Sequence, residues 1–254
     1  MAETNSKLHI NVFQFDIQWL DAKKNISLIE NHLKSLSGAV DLVVLPEMYL
    51  SGFCMEASKS AIIENGKEIN ELIDLADRFN VALIGSLAIS EDKTYYNRVL
   101  LLNGDGVVAR YDKQRLYSPS GEHQAFDRKY DVQLIEFKEW KILPQVCYDL
   151  RFPENVRPLS PPDLLLYMAN WPTPRIHHWN ALLKARAIEN QCFTIGCNRV
   201  GVDNNTWEYP GHSIIFKSDG TEIRTIKTND PEVVALEMTD MIEYRQKYQF
   251  LNDK

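Results

Sequence analysis

Hydrophobic residues in the N-terminal part of the chain switch between two periods. LHINVFQF (8–15) alternates well enough for a strand, and Ile26, Ile29, Leu33 and Leu36 then recur at helical spacing. LVVL (42–45) is a short continuous apolar run, the pattern of a strand buried on both faces. Ile62, Ile69, Leu72, Ile73, Ala76 and Phe79 predict a second amphipathic helix, and VALIGSLAI (81–89) a third strand. Strand, helix, strand, helix, strand predicts α/β layering, with helices packed on a sheet.

Downstream the signals change to hairpins. VLLLNGDGVVARY (99–111) sets Asn103-Gly104-Asp105-Gly106 between apolar runs, and VQLIEFKEWKILPQV (132–146) predicts a second hairpin turning near Lys138 and Glu139. Residues 163–169 predict another buried strand. HHWNALLKARAIENQ (177–191) puts Trp179, Leu182, Leu183, Ala187 and Ile188 on one helical face. Strands are predicted at 192–199, 212–217, 222–227 and 232–238, with the 212–217 and 222–227 pair joined at Asp219-Gly220 and a helical tail from about Asp240. No linker, low-complexity tract or internal repeat interrupts the pattern, which predicts one domain over residues 1–254 with a mixed sheet system.

A chain of 254 residues is long enough to bury a large core without staples. Its 44% apolar and 25% charged residues are those of an ordinary globular protein. The net charge of −7, without a cluster of Lys or Arg, argues against nucleic acid or a lipid surface and favours a small-molecule partner. MAETNSKLHINVFQF has no basic-then-apolar leader pattern, and no stretch is apolar for long enough to span a membrane. The four cysteines, at 54, 147, 192 and 197, have neither C-x-x-C nor zinc-type spacing, which predicts a reducing, cytoplasmic location.

Candidate chemistry begins at Cys147, in LPQVCYDLRFPE (143–154), where a buried strand turns polar. A thiol with a free pKa of about 8.5 needs a partner to react, and a nearby cation favours thiolate. Glu47 follows Pro46 after the LVVL run, in LPEMYLSGF (45–53), where partial desolvation makes a carboxylate a better proton acceptor. Lys113, in YDKQRLY (111–117), ends the central hairpin and could stabilise charge on an attacked carbonyl oxygen. Tyr148 supplies a backbone N–H that could form half of an oxyanion hole. The plainer readings are Glu47 facing water, Lys113 on the surface and Cys147 as one more buried sulfur, and Glu122, in the Ser/Pro/Gly loop SPSGEH (118–123), likewise reads as a surface glutamate. His177-His178 lacks the H-E-x-x-H spacing of a zinc site and reads as a pair of helix-end histidines. There is no G-x-S-x-G, P-loop or G-x-G-x-x-G, so no metal or nucleotide cofactor is expected.

Together LPE, YDKQRLY and VCYDLRFPE, with LLKARAIENQ (182–191) and GCNRVG (196–201), resemble the nitrilase (carbon–nitrogen hydrolase) superfamily over nearly the whole chain. The resemblance implies a four-layer αββα sandwich that pairs into a homodimer. It implies Glu47 as general base, Lys113 as oxyanion stabiliser, Cys147 as nucleophile and Glu122 as a supporting glutamate. LPEMYLSGF, VCYDLRFPE and YMANWPTPR (167–175) are similar to the bacterial ω-amidase-like branch, which implies terminal amides of 2-oxo acids such as 2-oxoglutaramate and 2-oxosuccinamate as substrates. Glu208 and Tyr209 stand where many relatives carry glycines, a departure that could alter a pocket rim.

A substrate with its own carboxylate needs a cation or N–H donors at the far end of the pocket. Arg151, Arg175 and Arg186 are the candidates, with structural ion pairing as the alternative for Arg151 and Arg186. Phe53 and Trp171 are candidate apolar walls. Two other functions stay open at this point: a different amidase of the superfamily, for N-carbamoyl compounds or aliphatic amides, or a catalytically silent assembly protein on the same scaffold.

Overall fold

The structure is a computed structural model that describes residues 7–157 and 160–253. Its first sheet is seven-stranded, ordered β15-β1-β2-β4-β5-β6, with β3 pairing with the C-terminal end of β4 beyond β2. Here β1 is Lys7–Val12, β2 Leu42–Val44, β3 Ile62–Ile63, β4 Ala82–Glu91, β5 Thr94–Asn103, β6 Gly106–Asp112 and β15 Val234–Glu237. The second sheet is six-stranded, ordered β14-β13-β10-β9-β8-β7. It contains β7 (Ile135–Phe137), β8 (Trp140–Val146), β9 (Leu164–Ala169), β10 (Phe193–Asn198), β13 (Ile214–Phe216) and β14 (Glu222–Thr225). Both sheets share one plan. A parallel centre, β1/β2/β4 in one and β8/β9/β10 in the other, carries antiparallel strands at its edges.

Strand alternation decides how the sheets pack. Leu8, Ile10, Val12, Val44, Ile84 and Leu101 of the first sheet share one apolar cluster with Ile142, Val146, Leu166 and Met168 of the second. The opposite face of the first sheet, including Val43, Leu83 and Leu100, packs on α1 (Ala22–Ser35) and α3 (Lys67–Phe79). Beyond the second sheet lies α5 (Ile176–Asn190), followed after β15 by α6 (Met238–Lys247). The layers therefore run helix, sheet, sheet, helix, in agreement with the expected αββα sandwich. Each fully buried Leu or Ile contributes about 1.5–3 kcal/mol to holding it.

Local sequence explains the element ends. Asp21 accepts the Lys24 N–H at the start of α1, and Asn80, with φ of 50°, closes α3 in the left-handed conformation that Asn tolerates. Lys138 and Glu139 take φ of 46° and 69°, the two positive values that a two-residue hairpin turn needs.

Two expectations are corrected. Ile62 is not in the second helix. It pairs with Ile89 as part of β3, and α3 starts only after Gly66. The buried stripe of α5 is Trp179, Leu183, Arg186, Ala187 and Asn190, with Ile188 44% exposed. Helical geometry sets this stripe, because Ile188 lies about 100° around the axis from Ala187. Residues 200–210 also hold an unexpected hairpin, β11 (Val200–Val202) with β12 (Glu208–Pro210), and the short helices α2 (Ala57–Ser60) and α4 (Glu122–Ala125) were likewise unforeseen.

Candidate active site

The functional side chains gather where the parallel strands end. Glu47 follows β2, Cys147 follows β8 and Asn170 follows β9, each at the carboxyl end where open α/β sheets bind ligands. Lys113 follows β6, and its backbone N–H donates to Asn97 O of the neighbouring β5 at 2.9 Å. Two of these exits are strained. Met48, next to Glu47, has φ of 48° and Cys147 itself 45°, values that non-glycine residues avoid at a cost of roughly 1–2 kcal/mol. The turn at Cys147 swings the thiol out of the sheet and into a cleft.

Around the thiol is a closed set of charges. Lys113 Nζ lies 2.8 Å from Glu47 Oε1 and 2.9 and 2.8 Å from the two oxygens of Glu122. Lys113, Glu47 and Glu122 are all wholly buried. A buried ammonium or carboxylate is stable only when paired and hydrogen-bonded, and further donors complete the set here. Asn97 Nδ2 donates to both Glu47 Oε1 and Glu122 Oε1 at 2.9 Å, and Ser86 Oγ donates to Asn97 Oδ1 at 2.8 Å. The Asn170 N–H donates to Glu47 Oε2 at 2.9 Å, and the Tyr117 N–H to Glu122 Oε2 at 2.6 Å. Burial alone would lower the Lys113 pKa, but Glu122 and then Glu47 reverse that and hold it above the usual lysine range.

This charge balance corrects one expectation. One ammonium faces two carboxylates, so the local charge does not favour thiolate. Burial first, then the Glu47 charge, push the Cys147 thiol well above its usual range, and Lys113 offsets this only in part. The resting sulfur is therefore a thiol, with Asn170 O as its acceptor at 4.0 Å. For such a thiol to act as a nucleophile a base must take its proton, and Glu47, beside it in the cluster, is a carboxylate in position to do so.

The cleft over Cys147 has a volume of about 520 Å³, within the range of small-molecule sites. Phe53 forms one wall, with its ring 5.3 Å from Lys113 Nζ. Trp171 forms another and carries Arg151 over its ring at 4.9 Å. Arg151 Nη2 lies 3.0 Å from His178 Nδ1, which must accept because a guanidinium only donates. Arg175 stands between the rings of Tyr117 and Trp207, 5.7 Å from each. Among the described residues no carboxylate pairs with Arg151 or Arg175. The β11–β12 hairpin adds Asp203, Asn205, Trp207 and Tyr209 to the rim, and the Tyr209 hydroxyl donates to Asp203 Oδ2 at 2.9 Å. The departure at Glu208-Tyr209 thus falls at the pocket rim.

The fold brings together Glu47, Lys113, Glu122, Cys147, Tyr148, Phe53, Arg151, Trp171 and Arg175. Arg186 is excluded from the cleft. It pairs with Glu189 at 2.8 Å and donates to Leu150 O at 2.7 Å, anchoring the turn after Cys147. All four cysteines are free, and Cys54, Cys192 and Cys197 are buried and do not line the cleft. The expectations missed Asn97, Ser86 and Asn170. The signal for Asn97 was a polar residue inside the apolar strand TYYNRVLLLN, and for Asn170 a polar residue straight after a wholly buried strand.

Comparison with known proteins agrees with this fold. The carbon-nitrogen hydrolase family model matches residues 10–246. The ω-amidase YafV of Escherichia coli K12 is 40% identical over 243 residues, covering 95% of this chain and 94% of the relative. The 2-oxoglutaramate amidase of Bacillus subtilis is 33% identical over 215 residues, 83% of each chain. The crystal structure of XC1258 from Xanthomonas campestris, a CN-hydrolase superfamily protein with an arsenic adduct in its active site, superposes with a TM-score of 0.91. It is 34% identical and covers 98% of this chain and 97% of its own. The family model over most of the chain, the ω-amidase relatives and the superposition show that this chain belongs to the carbon–nitrogen hydrolase family of the nitrilase superfamily, among its ω-amidase-like members.

Proposed function

We propose that the protein is an ω-amidase, a cysteine-dependent amidohydrolase that cleaves the terminal amide of small 2-oxo-acid amides such as 2-oxoglutaramate and 2-oxosuccinamate. The observation that carries this reading is the composition of the cleft. A thiol with a paired base lies at its floor, and two guanidiniums without acidic partners among the described residues, Arg151 and Arg175, lie on its walls. An unpaired guanidinium in an aromatic cleft calls for an anion, and a planar carboxylate matches its fork. A small substrate carrying a carboxylate at one end and an amide at the other meets both requirements. The names of the relatives from Escherichia coli and Bacillus subtilis agree with this reading.

The chemistry follows from the charge cluster. Glu47 accepts the thiol proton as Cys147 Sγ attacks the amide carbon. The oxyanion that forms is held by Lys113 Nζ and the Tyr148 N–H. Glu47 then gives the proton to the departing ammonia, leaving an acyl-thioester. A water enters, loses a proton to Glu47 and attacks the thioester, and collapse returns the proton to the thiol as the acid leaves. Glu122 and Asn97 keep Lys113 and Glu47 aligned through both halves.

The test is ammonia release from a panel of 2-oxoglutaramate, glutamine, asparagine, an N-carbamoyl amino acid and a nitrile. The expected result is a kcat/KM for 2-oxoglutaramate at least ~10-fold above that for glutamine, a difference of about 1.4 kcal/mol in transition-state binding. Equal rates on the two would end the ω-amidase reading.

A further inference from the structure

Asp149 lies two positions beyond Cys147, is wholly buried and takes no part in the steps above. No cation forms an ion pair with it among the described residues. A carboxylate in such a place needs donors to replace lost water, and the donors here come from two separate segments. Its Oδ2 accepts the Val146 N–H at 2.9 Å and the Tyr111 hydroxyl at 2.7 Å. Its Oδ1 accepts the Arg115 N–H at 2.8 Å. Val146 immediately precedes the nucleophile, while Tyr111 and Arg115 flank Lys113 on either side.

One side chain thus ties the peptide entering the nucleophile turn to both flanks of the lysine. The bond back to Val146 also closes a ring around Cys147, the residue held at φ of 45°. We infer that Asp149 is a positioning residue that fixes the Cys147 thiol against Lys113 and Glu47 by clamping their two segments together. Burial outweighs its hydrogen bonds and pushes the Asp149 carboxyl up to about 6. A group needed only for packing would gain by being apolar. A carboxylate does what an amide cannot, because the Val146 and Arg115 N–H groups each require an acceptor, one on each oxygen. In Asp149→Asn one oxygen becomes an NH2 group, and at least one tie is lost.

This inference rests on the cysteine mechanism proposed above, so its test includes a readout that needs no substrate. Alkylation of Cys147 by iodoacetamide is measured alongside steady-state kinetics in wild type, Asp149→Asn and Tyr111→Phe, with the folded fraction fixed by circular dichroism. Misplacing a reacting group by about 1 Å costs on the order of 10²-fold. The expected result for Asp149→Asn is therefore a fall of roughly 10–100-fold in both kcat and alkylation rate per folded molecule, with KM changed by less than about 3-fold. Tyr111→Phe, which keeps the ring, should lower both rates together by about 3–10-fold.

Folded Asp149→Asn that turns over and alkylates at wild-type rates overturns the inference alone. If Asp149→Asn does not fold, Tyr111→Phe decides. A parallel fall supports the clamp, and unchanged rates overturn it. Wild-type Cys147 reacting no faster than Cys54 overturns the nucleophile assignment and the clamp with it.

Discussion

Replacing Cys147 and replacing Lys113 disturb the same site through different physics. In Cys147→Ala only the sulfur is removed, and the buried charges keep their partners. Ammonia release should fall at least ~10³-fold while urea unfolding moves by no more than about 1 kcal/mol. Lys113→Met instead leaves Glu47 and Glu122 facing each other with no cation, and breaking a buried pair in this way costs about 3–5 kcal/mol. That variant should lose both activity and stability. Lys113→Met unfolding at the wild-type midpoint would mean that the cluster is not held by charge. At this scale the sequence and its family resemblance picked out Glu47, Lys113, Glu122 and Cys147, because each lies in a distinctive segment. The burial of Lys113 was not legible. A lysine at a strand end reads the same in water as under two carboxylates, and only the partners, far away in sequence, distinguish the cases. Asn97 and Asn170 were missed for the same reason.

The second sheet and α5 meet through a residue with no side chain. A Cβ on Gly196 in β10 would lie 2.3 Å from Leu183 Cδ1 and 2.6 Å from Trp179 Cζ2, both in the buried stripe of α5. Neither neighbour can give way within a packed core. Gly196→Val should destabilise the protein by about 1–3 kcal/mol, measured as a lower urea midpoint at unchanged m-value. A variant as stable as wild type would show that α5 can shift off the sheet. Because Arg186 on α5 also holds Leu150 O, such a shift would reach the turn at Cys147. Hairpins and long apolar runs among these elements were readable from the sequence where β5 to β6 and β7 to β8 carry their own turn signals, whereas the β4–β5 hairpin, turning at Asp92-Lys93, was not read. Nor was the β11–β12 hairpin. Its three-residue strands are too short to establish a period, and its position at the cleft comes from contacts such as the Asp16 bridge to Val200.

Across the whole molecule, one buried histidine ties the first helix to the first strand and the C-terminal segment. Asn11 donates its amide hydrogens to Asp230 O and Glu232 O, so its oxygen must accept from His32 Nε2, 2.7 Å away. Burial, opposed by the Asp230 charge, lowers the His32 pKa from 6.5 to about 4. The sign follows from linkage. Below pH 6.5 the unfolded chain takes up a proton that the folded one refuses, so stability falls as pH drops from 6.5 towards 4. The difference between wild type and His32→Gln in urea titrations should change by up to ~1.4 kcal/mol per pH unit in that window. Parallel curves would show that His32 titrates normally. By itself the sequence determined the α/β alternation, the hairpins with their own turn signals, and the segments that hold the Glu, Lys and Cys, because period and turn chemistry are local. Tertiary structure alone decided that Lys113 is neutralised by two carboxylates, that Cys147 rests as a thiol, and that Arg151 and Arg175, not Arg186, reach the cleft. These depend on desolvation and on distances between strand ends, and both exist only once the two sheets have closed on each other.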